Sequence, residues 1–175
     1  MPVIGAKHPF LNVGVVNLPY YLGLVLEADD EKLDMEMSTV DDYHRWLNMK
    51  TATLYRTLTW RTKSGKVIDV AFKRYMDPKL RFICVQECRL KMVSGSSDIH
   101  VTSFVDNNVR TNGWEKFTET AVGNERDFVF SDVTTNMAMR IITASKAVNT
   151  KTTAYNVQAK ERRIGTTSSF RLAEG

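Results

Sequence analysis

The stretch Asp41–Trp60, DDYHRWLNMKTATLYRTLTW, decides the fold class because its pattern changes halfway. Asp41 to Lys50 mixes charge with the large rings of Tyr43 and Trp46 and has no clean period. The second half alternates: Leu54, Leu58 and Trp60 fall on one face, with threonines and Arg56 between them or opposite. Side chains two apart share a face of a strand, whereas a helix brings together positions three and four apart. The stretch therefore predicts an irregular aromatic corner, a specialised loop at one rim, feeding a strand of a large antiparallel β domain.

Working outward, the same period recurs. Tyr21–Glu27 reads as a buried strand that turns at Ala28–Glu31 into Lys32–Met37, with Leu33, Met35 and Met37 on one face. Asp29, Asp30 and Glu31 supply the polar turn that a hairpin needs rather than a cation site. Downstream, Thr53–Arg61, Val67–Tyr75, Leu80–Met92 and Ile99–Val105 alternate between polar turns. Residues 107–125 read as a long loop carrying Trp114 and Phe117. Asp127–Asp132, Asn136–Ala144, Thr153–Ala159 and Thr167–Leu172 follow as strands rich in β-branched residues, although Met137–Ile142 also fits a helical turn. Residues 1–19 hold three of the four prolines and read as an irregular lead-in with a short strand near Val13–Val16. The expectation is an all-β chain of two stacked antiparallel sheets, one domain over 1–175.

Composition sets the bounds. With 175 residues, 43% apolar and 25% charged, the chain is long enough for one substantial core and far from the composition of disorder. No window approaches a membrane span, and the opening MPVIGAKHPF lacks the features of a secretory signal, so a cytoplasmic location is expected. The net charge of +4 is mild, with acids concentrated early and bases late, and no nucleic-acid signature accompanies it. Cys84 and Cys88, four apart on one strand, would be about 13 Å apart, beyond disulfide reach, and read as small buried thiols.

The common cofactor, phosphate-loop and nucleophile motifs are absent, so no cofactor, metal or catalytic residue is expected. His8, His44 and His100 are dispersed without ligand spacing. What stands out is a set of aromatic and neighbouring residues: Tyr20, Tyr21, Tyr43, His44, Trp46 and Trp114. Loop aromatics stack on the apolar faces of sugars, and they also pack the ends of sandwiches and interfaces. These six are the candidates for a substrate rim or an interface.

An ordered series of motifs carries a family resemblance. Val16–Tyr21, Leu33-Asp34-Met35, Asp42–Lys50, Leu54-Tyr55-Arg56, Trp60, Gly65 and Arg74-Tyr75-Met76 resemble the amino-terminal domain of family 65 glycoside hydrolases, with a looser match at Tyr155–Lys160. The match in order and spacing covers about Val15 to Arg110. That family comprises maltose, trehalose and kojibiose phosphorylases and related hydrolases. The resemblance implies an antiparallel super-sandwich of the galactose-mutarotase kind, incomplete relative to the family domain because its Gly-rich opening segment is missing. In the family it joins an (α/α)6 catalytic barrel whose glutamate is the general acid. No carboxylate here corresponds to that acid, so the resemblance implies a non-catalytic domain that packs against the barrel and aids dimerisation. The implied partners are that barrel, a second copy and an α-glucoside. A stand-alone carbohydrate-binding or protein-interaction module is the alternative.

Overall fold

The computed structural model describes residues 5–6, 14–149 and 154–175, and all of their regular structure is β-strand. The strands are β1 (Gly5–Ala6), β2 (Gly14–Val15), β3 (Tyr20–Ala28), β4 (Glu31–Lys32), β5 (Thr39–Asn48), β6 (Thr53–Arg61) and β7 (Val67–Met76). They continue with β8 (Cys84–Ser94), β9 (Ser96–Asp106), β10 (Phe117–Glu125), β11 (Phe128–Thr135), β12 (Arg140–Ser145), β13 (Ala154–Lys160) and β14 (Arg163–Ala173). The pairs β1–β2, β3–β4, β5–β6, β6–β7, β7–β8, β10–β11 and β11–β12 are antiparallel. The larger sheets run β5-β6-β7-β8, β10-β11-β12 and β13-β14-β9-β3-β4. The chain divides into two units, one of residues 1–24 with 101–168 and the other of residues 25–100 with 169–175.

The second unit holds the meander β5-β6-β7-β8, in which residues directly opposite one another share a face. Leu58, Trp60, Ile68, Val70 and Met92 are buried on one face, and Leu26, Ala28 and Ile99 are buried in the same unit. Burying each such side chain contributes roughly 1.5–3 kcal/mol. The hairpin turn at Asp29 follows from charge: its carboxylate accepts from the Lys66 ammonium and from the Asp98 amide at 3.0 Å. Those bonds, the lysine's first, hold the Asp29 carboxyl at about 2. In the first unit, Val129, Ser131, Val133 and Thr135 of β11 are buried on alternate positions, and the buried Asn107 amide accepts from the Ser131 hydroxyl.

Several expectations change on structural grounds. The loop predicted over 107–125 ends at Lys116, because Phe117–Glu125 pairs with β11 as β10; its polar residues hid an alternation in which one face is solvated. Lys32–Met37 is not a full strand: β4 stops at Lys32, and Ser38 N donates to the Asp34 carbonyl at 2.8 Å, leaving Met35 and Met37 exposed. Leu80 and Phe82 precede β8 rather than extending it, in a connection shaped by Asp77. The corner at Asp41 is not a rim loop but a bulge inside β5. Pairing steps from Asp41 opposite Thr59 to His44 opposite Thr57, so Asp42 and Tyr43 together face Leu58, and Asp42 takes φ 49°. Of the lead-in 1–19, residues 1–4 and 7–13 lie outside the described residues, and the remainder contains β1 and β2.

Candidate functional site

The core-side face of the meander changes character along its length. One end is the dry row Val40, Trp60, Ile68 and Met92. Two rows further on stand Arg45, Arg56, Phe72 and Cys88, followed by Leu47, Leu54, Arg74 and Gln86. Arg45 is directly opposite Arg56, and Arg74 is diagonal to it, an arrangement in which like charges repel. The Arg56 guanidinium carbon lies 4.1 Å from the centre of the Phe72 ring. Desolvation lowers its pKa, and Arg74 and Arg45 push the same way against Tyr43. Burial also pushes the Cys88 thiol up to about 12, with Arg56 opposing.

Arg74 donates from Nε and Nη2 to the Gln86 amide oxygen at 3.0 and 2.6 Å, a neutral acceptor. Among the described residues, no carboxylate forms an ion pair with Arg45, Arg56 or Arg74. The opposite face of the same sheet is the reverse case. There Arg61 pairs with Asp41, Lys73 with Glu87 at 2.9 Å and Arg89 with Glu87 at 3.2 Å.

The β5–β6 and β7–β8 connections lie together at the arginine end, because alternate turns of an antiparallel meander share an end. They expose Met49 at 79% and Phe82 at 83%, flanked by Leu47, Met76, Leu80 and Ile83. Both connections are built by their own polar groups. Asn48 Oδ1 accepts from the amides of Lys50 and Thr51 at 3.1 and 3.2 Å, and Asp77 Oδ1 accepts from those of Lys79 and Leu80 at 2.8 and 2.7 Å. The polar atoms are thereby engaged locally and the apolar side chains face solvent.

The six sequence-predicted residues are divided between the two units. Tyr43, His44 and Trp46 lie on β5 in the second unit; Tyr20, Tyr21 and Trp114 belong to the first. Tyr43 sits in the bulge within electrostatic range of Arg56. His44 and Trp46 are on the opposite face, where Trp46 stacks on Tyr55 with ring centres 5.0 Å apart and planes at 9°. Tyr20 meets Phe104 edge-on at 6.1 Å. Trp114 is exposed beside a tight turn in which Asn112 and Gly113 take φ 52° and 80°, both in the left-handed region that favours Asn-Gly.

The first unit also carries a shallow cavity of about 140 Å³ lined by Thr102, Phe104, Gln158, Lys160, Arg163 and Gly165. It is smaller than the roughly 300–1,000 Å³ of most ligand pockets. Among the described residues, no group of three His, Cys, Asp or Glu is placed to hold a metal ion.

Sequence reasoning passed over Arg45, Arg56, Arg74 and Phe82. The signal for the arginines was present: each lies inside one of the motifs that carry the family resemblance.

Comparison with known proteins adds a family. The model for "Glycosyl hydrolase family 65, N-terminal domain" matches residues 7–175. Kojibiose phosphorylase of Halothermothrix orenii is 24% identical over 103 residues, 59% of this chain and 13% of that protein. Maltose phosphorylase of Bacillus subtilis is 24% identical over 54% of this chain and 12% of its own length. Alpha,alpha-trehalose phosphorylase of Thermoanaerobacter brockii is 26% identical over 48% of this chain and 11% of its own. Among solved structures, a protein assigned as a kojibiose phosphorylase from human microbiome superposes with a TM-score of 0.77 at 17% identity. That match covers 92% of this chain and 21% of the other, and shows a shared all-β fold. The chain thus spans between a tenth and a quarter of the length of these relatives.

Proposed function

Because the chain belongs to the N-terminal domain of glycosyl hydrolase family 65, we propose that it serves as the non-catalytic β-sandwich part of a phosphorylase or hydrolase acting on α-glucosidic disaccharides. In this reading it packs against a catalytic (α/α)6 domain and assists dimerisation. The family match runs through both units, which supports treating them as one domain. The observation that carries the packing role is the exposed apolar end of the meander at Met49 and Phe82. A contiguous apolar patch on a soluble chain marks an interaction site, and these side chains are held outward by ordered turns.

Light scattering of the isolated chain tests this. The chain is expected to self-associate at high concentration and to bind a hydrophobic dye. The double variant Met49→Ser/Phe82→Ser is expected to stay monomeric with stability changed by no more than about 1 kcal/mol, as for two exposed substitutions. A wild-type chain that stays monomeric and dye-free at high concentration removes the packing role. No phosphate-dependent release of glucose 1-phosphate from maltose, trehalose or kojibiose is expected from the chain alone; such release would overturn the non-catalytic assignment.

The stacked pair Trp46–Tyr55 favours one second reading, a binding surface for an α-glucoside. It requires saturable quenching of tryptophan fluorescence by kojibiose, maltose or trehalose that disappears in Trp46→Ala. A flat titration removes it.

A further inference from the structure

The arginine end of the meander holds an electrostatic imbalance that packing alone does not explain. We propose that Arg45, Arg56 and Arg74 form a receiving site for an acidic polypeptide segment, one that presents carboxylates beside apolar side chains. The inference rests on the packing role above and names the chemistry of the segment that docks.

Guanidinium groups withdrawn from water are ordinarily paired, since an unpaired one loses hydration without compensation. Arg56 is half-buried, stacked on Phe72 and beside two further cations, and among the described residues no carboxylate pairs with any of the three. Stacking on Phe72 uses the flat face of the guanidinium and leaves its N–H edges available, the geometry in which arginine receives a carboxylate with two parallel bonds. Arg74 is steadied by a neutral amide from Gln86, which orients its guanidinium without neutralising it.

The surroundings select the kind of anion. Leu47 and Leu54 stand next to the arginines in the sheet. Directly opposite positions on a sheet are about 5 Å apart and diagonal ones 7–8 Å, so the three cations cover more than one small anion reaches. A chain alternating acidic and aliphatic side chains matches both features. A nucleic acid would seek a free aromatic face for base stacking, and on Phe72 that face is taken by Arg56.

The test uses the whole chain and a fluorescent ten-residue peptide of alternating Glu and Leu, read by anisotropy. A Lys-Leu peptide, inorganic phosphate at matched ionic strength and a single-stranded oligonucleotide serve as the other arms. The Glu-Leu peptide is expected to bind saturably, less tightly as salt rises, and about ten- to a hundredfold more weakly to Arg56→Met, the range for losing one charge-assisted bond. Arg45→Met, at an exposed position, is expected to weaken binding without a change in melting temperature. Arg56→Met itself is expected to melt no lower than the wild type, because it removes a desolvated charge that the chain alone leaves unpaired.

Four results overturn the proposal: no binding of the Glu-Leu peptide, binding by Arg56→Met and Arg45→Met as tight as by the wild type, tighter binding of the oligonucleotide or Lys-Leu peptide, or full competition by phosphate. A melting temperature lowered by several degrees in Arg56→Met does so too, since it means that the fold already satisfies that charge. Loss of peptide binding with self-association intact removes this proposal and leaves the packing role standing, whereas a monomeric, dye-free wild type removes the packing role.

Discussion

Replacing Trp60 separates two effects that the structure superimposes at one position. Trp60 is fully buried in the row with Ile68 and Met92, yet its indole Nε1 has no hydrogen-bond partner. Trp60→Ala removes the whole ring system and should cost about 3–5 kcal/mol, the range for deleting a large aromatic from a core. At roughly 2–4 °C per kcal/mol for a domain of this size, that is a melting temperature lower by about 6–20 °C. Trp60→Phe deletes only about two carbons and the N–H. The carbons cost about 1.6 kcal/mol at about 0.8 per buried carbon, with a further cavity contribution. Removing a buried donor that has no acceptor recovers about 1–3 kcal/mol. The two nearly cancel, so Trp60→Phe should change stability by less than about 1.5 kcal/mol in either direction. Urea titration followed by far-ultraviolet circular dichroism measures both variants without relying on the tryptophan signal. If Trp60→Phe costs as much as Trp60→Ala, the indole N–H has an acceptor in solution and the account of this core is wrong.

Four further outcomes follow from particular residues. The Asp29 carboxyl is held at about 2 against an ordinary 3.8, so its contribution is complete above about pH 4 and is lost as pH falls through about 2; the difference in urea midpoint between wild type and Asp29→Asn should shrink over that window and stay constant from pH 5 to 7. Burial holds the Cys88 thiol at about 12, so at pH 8 it should react with a thiol reagent far more slowly in the native chain than in urea, and equal rates would contradict that burial. A Cβ on Gly165 would come within 2.7 Å of the Ser103 carbonyl oxygen, a backbone atom with little freedom to yield, so Gly165→Ala should cost about 1–3 kcal/mol by thermal melting. Gly65→Ala, in open space but at φ +82°, should cost only about 1–2 kcal/mol.

How much of this was legible from the residues depends on whether local pattern or register carried the information. The strands β6 and β7 show through because apolar residues return every second position on a face that is buried at one end, as Leu58 with Trp60 and Ile68 with Val70 do. The strand β5 did not show through. Its bulge places Asp42 and Tyr43 opposite one residue, which shifts the alternation by one position and puts Trp46 and Leu47 on the wrong faces for anyone counting from Asp41. The same shift explains why Asp41 and Trp46, five positions apart, share a face. β10 was missed for a different reason: Thr118, Glu119, Ala121, Asn124 and Glu125 leave little apolar signal, and only pairing with β11 makes that stretch a strand.

The candidate site was less legible than the fold because it is defined by what its charges lack. Single arginines at 45, 56 and 74 look like the solvated bases of a sheet exterior, and the sequence offers acids nearby at Asp41, Asp42, Asp69 and Glu87. Register sends Asp41, Asp69 and Glu87 to the other face, where Asp41 and Glu87 pair with Arg61, Lys73 and Arg89 and Asp69 accepts from Thr59. The core-side face is therefore left with three arginines and, in the bulge opposite Leu58, an Asp42 that forms an ion pair with none of them, while the opposite face is nearly neutralised. An arrangement of this kind costs stability, since like charges directly opposite in a sheet repel and Arg56 also loses hydration. A sheet that needed only to fold would place apolar residues in those rows, as it does at Trp60 and Ile68. That the apolar rim at Met49 and Phe82 adjoins the same rows links the two departures, and one docking segment that covers the rim and neutralises the arginines accounts for both.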